Sequence, residues 1–249
     1  MTRLGLLPPV HRIYLIHTPF MKALPLFSLL VALSLGAAPN AGLKPVWEDN
    51  FDAKELDPKK WNVGGQARIV DGKLQLDVTP KDKAGFWNGS GVSSKFLHGQ
   101  GYFEASIRAV QTKNRGWTVF QIRNQDMSKV PAAEMNFVFT GADRVSPEMS
   151  FYDDAGRHPL APKEKVIALD GGKSYKKFLT YGLQWTATSY IWYVDGRQVH
   201  KLSRPIPAAP MYIGFYQSLP EGGLLKDFMN PKLGPEPMQI DWVKVFKIP

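Results

Sequence analysis

Asp71-Gly72 and Asp195-Gly196 each stand between two short runs rich in β-branched, aromatic and alternating apolar residues. An Asp-Gly pair favours the tightest hairpin turn, where both central residues take positive φ. Residues 67–70 with 73–78, and 190–194 with 197–199, therefore read as two hairpins. Further strands are expected at 101–110, 116–123, 134–139, 178–185, 211–217 and 239–246. Sustained helical periodicity is absent, with one short helical turn expected in 223–229. The 22 Gly and 20 Pro supply the many turns such a chain needs. No internal repeat or low-complexity linker breaks it up. The pattern predicts an all-β domain of two antiparallel sheets, a sandwich or jelly roll.

The first 42 residues read differently. Met21-Lys22 is followed by an apolar run through Leu35 and then by the small-residue stretch Gly36 to Gly42. That is the order of a secretory leader, with Met21 as the expected start and residues 43–249 as the exported domain. The run is too short for a membrane span, which needs roughly 20 apolar residues. Cysteine is absent, so disulfides and thiolate metal sites are excluded. The histidines His11, His17, His98, His158 and His200 lack the close spacing of metal ligands. Residues 1–42 carry Arg3, Arg12 and Lys22 and no acid, leaving 28 basic against 22 acidic side chains, a net +6. These charges are scattered. Mild attraction to anionic polymers follows, and nucleic acid is not indicated. The expected protein is a secreted or periplasmic monomer.

Residues 134–139 carry the chemistry. Side chains alternate along a strand, so Met135, Phe137 and Phe139 face a core while Glu134, Asn136 and Val138 face the opposite way. A carboxylate and an amide two residues apart, backed by apolar rings, suit the floor of a site for a polar ligand; an ordinary half-buried strand is the plain alternative. Trp117, Val119, Gln121 and Arg123 share one face of their strand, as do Tyr212, Gly214 and Tyr216. Rings beside amides and carboxylates on such faces suit a groove for a polar ligand. Glu104, Trp117, Gln121, Glu134, Asn136 and Tyr216 are its candidate members, whereas Trp185, Trp192 and Trp242 are assigned to the fold. Gly99-Gln-Gly101 lacks the third glycine and helix of a dinucleotide loop. Ser90 lacks the strand–helix setting of a nucleophile elbow.

Over residues 46–246 the order of segments resembles glycoside hydrolase family 16, the jelly-roll enzymes that cut β-glucans and galactans. The segments are Trp47-Glu-Asp-Asn-Phe51, Ser90-Gly-Val-Ser-Ser-Lys95, Gly101-Tyr-Phe-Glu-Ala105, Gly116-Trp-Thr-Val-Phe120, the Glu134 strand, Tyr181-Gly-Leu-Gln-Trp185, Ile191 to Gly196 and Ile240 to Val245. The resemblance implies a concanavalin A-like sandwich with a concave cleft. It also implies a Glu-x-Asp-x-Glu strand: nucleophile, supporting aspartate, acid/base. Matched residue by residue, Glu134 keeps the nucleophile, Asn136 replaces the aspartate and Val138 replaces the acid/base. Retaining hydrolysis needs two carboxyl groups about 5–5.5 Å apart, and valine moves no proton. Gln121, Ser106 and Leu179 depart from the family's cleft tryptophan, arginine and histidine. Glu104, Asp153 and Asp154 are the carboxylates considered as substitutes. Asp241 matches a position that contributes to structural calcium in some members; no other cofactor is expected. Three functions remain open: a polysaccharide-binding protein with hydrolysis lost or reduced, a divergent glycosidase or transglycosylase using Glu134, and a structural envelope protein.

Overall fold

The structure, a computed structural model, describes residues 38–80, 87–109, 117–129, 131–139, 144–159, 167–168, 177–203, 209–218 and 237–248. The expected leader up to residue 37 and the expected helical turn at 223–229 lie outside them. In chain order the strands are β1 (Trp47–Asp49), β2 (Trp61–Gly64), β3 (Ala67–Val70), β4 (Lys73–Leu76), β5 (Thr79–Pro80) and β6 (Trp87–Asn88). Then come β7 (Ser90–Ser94), β8 (Gly101–Arg108), β9 (Trp117–Asn124), β10 (Ala132–Phe139), β11 (Arg144–Asp153) and β12 (Gly156–Pro159). The series closes with β13 (Ile167–Ala168), β14 (Leu179–Trp185), β15 (Ser189–Val194), β16 (Arg197–Ser203), β17 (Met211–Ser218) and β18 (Met238–Phe246).

Both Asp-Gly hairpins form as expected. Asp71 and Gly72 take φ of 49° and 67°, and Asp195 and Gly196 take 46° and 72°, the backbone of a type I′ turn. One sheet runs β16-β15-β14-β8-β18-β4-β3, with β1 also on β18; the other runs β12-β11-β10-β9-β17-β7-β2, with β13 on β11. All these pairings are antiparallel. Sequence neighbours are often split between sheets, which is jelly-roll connectivity.

The core lies between the sheets. Phe120, Phe137 and Phe215 from three neighbouring strands stack at centroid distances of 6.4 and 5.1 Å, and Tyr181 meets Phe137 and Phe139 edge-on at 5.3 and 5.0 Å. Edge-on contacts set the positive ring rim against a neighbour's negative face. Trp185 and Trp192 are buried as expected. Trp242 is not a core residue: it is only half-buried, at a register shift in β18, with Lys244 Nζ 4.7 Å from its ring. The bulge adds a residue and turns Trp242 outward.

The outer face of the first sheet is covered too. Tyr102, Ile191, Tyr193 and Phe246 cluster there with Ala38, Leu43 and Ile248. Residues 38–42, read from sequence as the end of the leader, touch this sheet through Ala38 N–H donating to the Gly196 carbonyl at 2.9 Å and Asn40 donating to Glu104 at 2.9 Å.

Candidate functional site

Antiparallel partners in register point to the same face, so the second sheet's outer face can be read in rows across its strands. One row is Tyr212, Arg123, Glu134 and Ser150. The next is Asn62, Ser93, Gly214, Gln121, Asn136 and Glu148. A third is Gly64, Gly91, Tyr216, Val119, Val138 and Ser146. A groove of about 570 Å³ crosses these rows, lined by Val119, Gln121, Arg123, Glu134, Asn136, Val138 and Tyr216, with Asn62 to Gly65 at its β2 side. Its volume falls in the range of small-ligand clefts. A polar annex of about 430 Å³, lined by Lys95, Gln125 and Tyr212 among others, shares Asn62 and Ser93 with it.

The floor is drier than alternation alone implies. Glu134, Asn136 and Val138 are only 8%, 5% and 5% exposed, so β10 is buried on both faces. Glu134 Oε1 accepts from the Tyr152 hydroxyl at 3.1 Å and from Arg157 at 3.5 Å, while Oε2 lies 3.7 Å from Arg123 Nε. Two guanidiniums therefore flank one carboxylate. Burial, and then the charge of Glu134, raise the Tyr152 phenol above its ordinary value, so it stays a donor. Arg123 Nε is buried, yet 3.7 Å is an ion-pair distance rather than a hydrogen bond, and it has no hydrogen-bond partner. The side-chain oxygen of Asn136 is likewise buried and unpartnered. Its backbone carbonyl accepts from Trp192 Nε1 at 2.8 Å, tying the groove floor to the opposite sheet.

Tyr216 forms an aromatic floor. Its ring lies directly on the backbone, because a Cβ built on Gly91 or Gly214 would stand 2.4 or 2.5 Å from ring carbons. Its hydroxyl bonds with Tyr212 and Ser93; burial, and then Tyr212, raise that phenol's pKa. Gln121 Nε2 donates to the Tyr212 hydroxyl at 3.4 Å. Gln121, Glu134, Asn136 and Tyr216 thus meet in one groove. Trp117 continues β9 opposite Ser218, and its side chain lies outside the described residues.

Glu104 requires correction. It sits on β8 of the other sheet, where it accepts from Tyr102 at 2.8 Å and from Asn40, and burial pushes its carboxyl up against those bonds. Its alternation partners face outward, so it is remote from the groove. Ser106 and Leu179 also belong to that sheet, in β8 and β14, so their departures leave the groove lining unchanged. Asp153 bonds His158 at 2.7 Å, and Asp154 lies in the following turn. Asp241 is paired with Lys73 at 3.7 Å. Calcium takes six to eight oxygens, and among the described residues no group of three or more His, Cys, Asp or Glu is arranged for a metal.

Sequence reasoning missed Arg157, Tyr152 and Glu148, and did not place Arg123 in the site. Ser146, Glu148, Ser150 and Tyr152 alternate with Val145, Pro147, Met149 and Phe151, the same signal as in β10. Pro147 disguised it. Among the described residues β12 covers only Ser150 to Asp153 and β13 only Arg144 and Val145, so none of them pairs with residue 147 on that side.

A two-sheet jelly roll with a groove across one sheet, floored by a buried carboxylate and a flat tyrosine ring, defines the class: a β-sandwich with an open cleft. The chain belongs to glycosyl hydrolases family 16, whose sequence pattern matches residues 57–244. It is 26% identical over 214 residues to the β-glucanase of Bacillus amyloliquefaciens, covering 84% of each chain. It is 29% identical over 159 residues to a xylanase/β-glucanase of Ruminococcus flavefaciens, spanning 60% of this chain but 19% of that protein. The laminarinase catalytic domain of Thermotoga maritima shares the fold with a TM-score of 0.67 at 18% identity, covering 82% of this chain and 98% of that one. The Bacillus licheniformis β-glucanase does so at 0.65 and 19%, covering 81% and 97%.

Proposed function

We propose that the groove binds a polysaccharide across β9, β10 and β17, and that hydrolysis through the family's in-strand carboxylate pair is lost, leaving turnover absent or much reduced. The observation that carries the binding half is the pair of buried, unpartnered polar atoms on the floor, Asn136 Oδ1 and Arg123 Nε. A buried polar group without a partner costs about 1–3 kcal/mol, which a small shift of either side chain toward a sugar hydroxyl in the groove would recover. Glu134 is an acceptor already oriented by Tyr152 and Arg157, and Tyr216 offers a ring face to sugar C–H groups. The half concerning hydrolysis rests on Val138, a buried valine standing where the family resemblance expects the acid/base. General acid–base help is worth roughly 10²–10⁴ in rate. β-Glucan is the first polymer to test, given the β-glucanases among its relatives. A slow hydrolase remains the second reading, and Glu148 on the groove-facing row is the observation that favours it. The leader-like segment from Met21 supports export of the chain.

The test measures reducing-sugar release and melting shift for the full chain on mixed-linkage β-glucan, laminarin, agarose, carrageenan and xyloglucan, with Glu134→Gln alongside. A melting shift with one polymer and little release is expected. Rapid release that vanishes in Glu134→Gln would overturn the loss of hydrolysis. Silence with every polymer would overturn polysaccharide binding and favour a structural envelope role.

A further inference from the structure

Val138 removes the proton donor from β10, but the next strand brings a carboxyl group back to the same face. Glu148 on β11 is the register partner of Asn136, and Glu134 is the partner of Ser150 two residues further along. Glu134 and Glu148 are therefore diagonal neighbours, with Cβ atoms about 7–8 Å apart or less. Four residues along one strand, the separation of Glu134 from Val138, span about 13 Å. The cross-strand pair starts closer than the in-strand pair it would replace. Were Glu148 to lean toward Glu134 over that diagonal, the two carboxyl groups would come within the roughly 5–5.5 Å of a retaining pair. Glu148 is half-buried and stands beside Asn136, which lines the groove, without itself belonging to that lining. The other carboxylates considered are placed elsewhere: Glu104 on the other sheet, Asp153 on His158.

We propose that Glu148 is the acid/base residue of this groove, acting across the strand boundary with Glu134 as nucleophile. This rests on the groove holding a β-linked polysaccharide. Glu134 attacks the anomeric carbon and the glycosidic C–O bond breaks. The leaving oxygen takes the proton of the Glu148 carboxyl group. Water then gives a proton to the Glu148 carboxylate as its oxygen attacks the same carbon, releasing the Glu134 carboxylate and restoring Glu148. A pair assembled from two strands depends on sheet register, which suits turnover slower than that of a one-strand motif.

The experiment compares the full chain with Glu148→Gln, Glu148→Asp and Glu134→Gln on mixed-linkage β-glucan and on 2,4-dinitrophenyl β-cellobioside and β-laminaribioside. Dinitrophenolate leaves without a proton, so loss of a general acid spares it. Glu148→Gln is expected to lower polymer turnover about 10²–10⁴-fold, keep polymer binding, and retain cleavage of the aryl glycosides. Azide should accelerate the aryl reaction of Glu148→Gln, and the alkaline limb of its pH–rate profile should disappear. Glu134→Gln should lose both substrates. Polymer turnover unchanged in Glu148→Gln overturns the proposal, as does equal loss on both substrate types at unchanged melting temperature. If Glu148→Gln does not fold, partial polymer turnover with full aryl activity in Glu148→Asp supports the assignment, and equal losses overturn it. Wild-type binding without turnover overturns the role of Glu148 alone; absence of binding overturns the polysaccharide reading beneath it.

Discussion

Gly214→Ala tests the aromatic floor directly. A Cβ at 214 would stand 2.5 Å from Tyr216 Cε2 and 3.2 Å from Gln121 Cγ and Nε2. Gln121 is flexible enough to yield a few tenths of an ångström; the ring must move by about 1 Å to regain ordinary contact. It is blocked sideways, because the Gly91 backbone lies under its other edge, where a Cβ would be 2.4 Å from Cδ1. The open direction is upward into the groove, at the expense of the hydroxyl's bonds with Tyr212 and Ser93. Overpacking of this kind costs about 1–3 kcal/mol, or a melting drop of about 2–12 °C at roughly 2–4 °C per kcal/mol for a domain this size. Ring displacement should also weaken polymer binding at least about tenfold, the equivalent of 1.4 kcal/mol. Calorimetric melting and titration with the polymer identified above measure both. The decisive control is Tyr216→Ala, in whose background Gly214→Ala should cost far less, since neighbouring residues that share one clash are non-additive. Equal penalties in the two backgrounds would refute the seating of the ring on Gly214.

Trp192→Phe removes the donor to the Asn136 carbonyl and strands a buried acceptor, so a loss of about 1–3 kcal/mol is expected in chemical denaturation, together with weaker polymer binding. Val138→Glu restores a carboxyl group to β10; in the Glu148→Gln background it should raise hydrolysis of the bound polymer about 10²–10⁴-fold, read by reducing-sugar release. Burial holds the His98 pKa below its ordinary value near 6.5, with the ring 5.4 Å from Trp47 and 5.9 Å from Phe103. The unfolded chain then binds a proton that the folded one refuses. His98 accordingly contributes stability that is complete above about pH 6.5 and is lost as pH falls through the depressed folded value. Melting temperature followed downward from pH 7 should drop more steeply for the native chain than for His98→Phe; parallel curves would exclude it.

Local signals were legible wherever one residue type decides the backbone or one period decides the face. The Asp-Gly turns, the β10 alternation and the strands around Phe120, Tyr181 and Phe215 follow from φ preferences and from the period of two, both properties of a few consecutive residues. Pro147 hid the matching alternation of β11, because whether a proline's missing N–H matters depends on which strand lies beside it.

What the sequence alone determined is the all-β sandwich, the family order of its segments, and the facing of Glu134, Asn136, Gln121 and Tyr216 away from the core. Only the tertiary structure decided which outward faces meet. It put Glu104 on the opposite sheet beneath Asn40, set Arg123 and Arg157 against Glu134, and placed Glu148 beside Asn136. Alternation tells a side chain which side of its own strand to take; register between strands distant in sequence sets its neighbours, and that register is a property of the whole folded sheet.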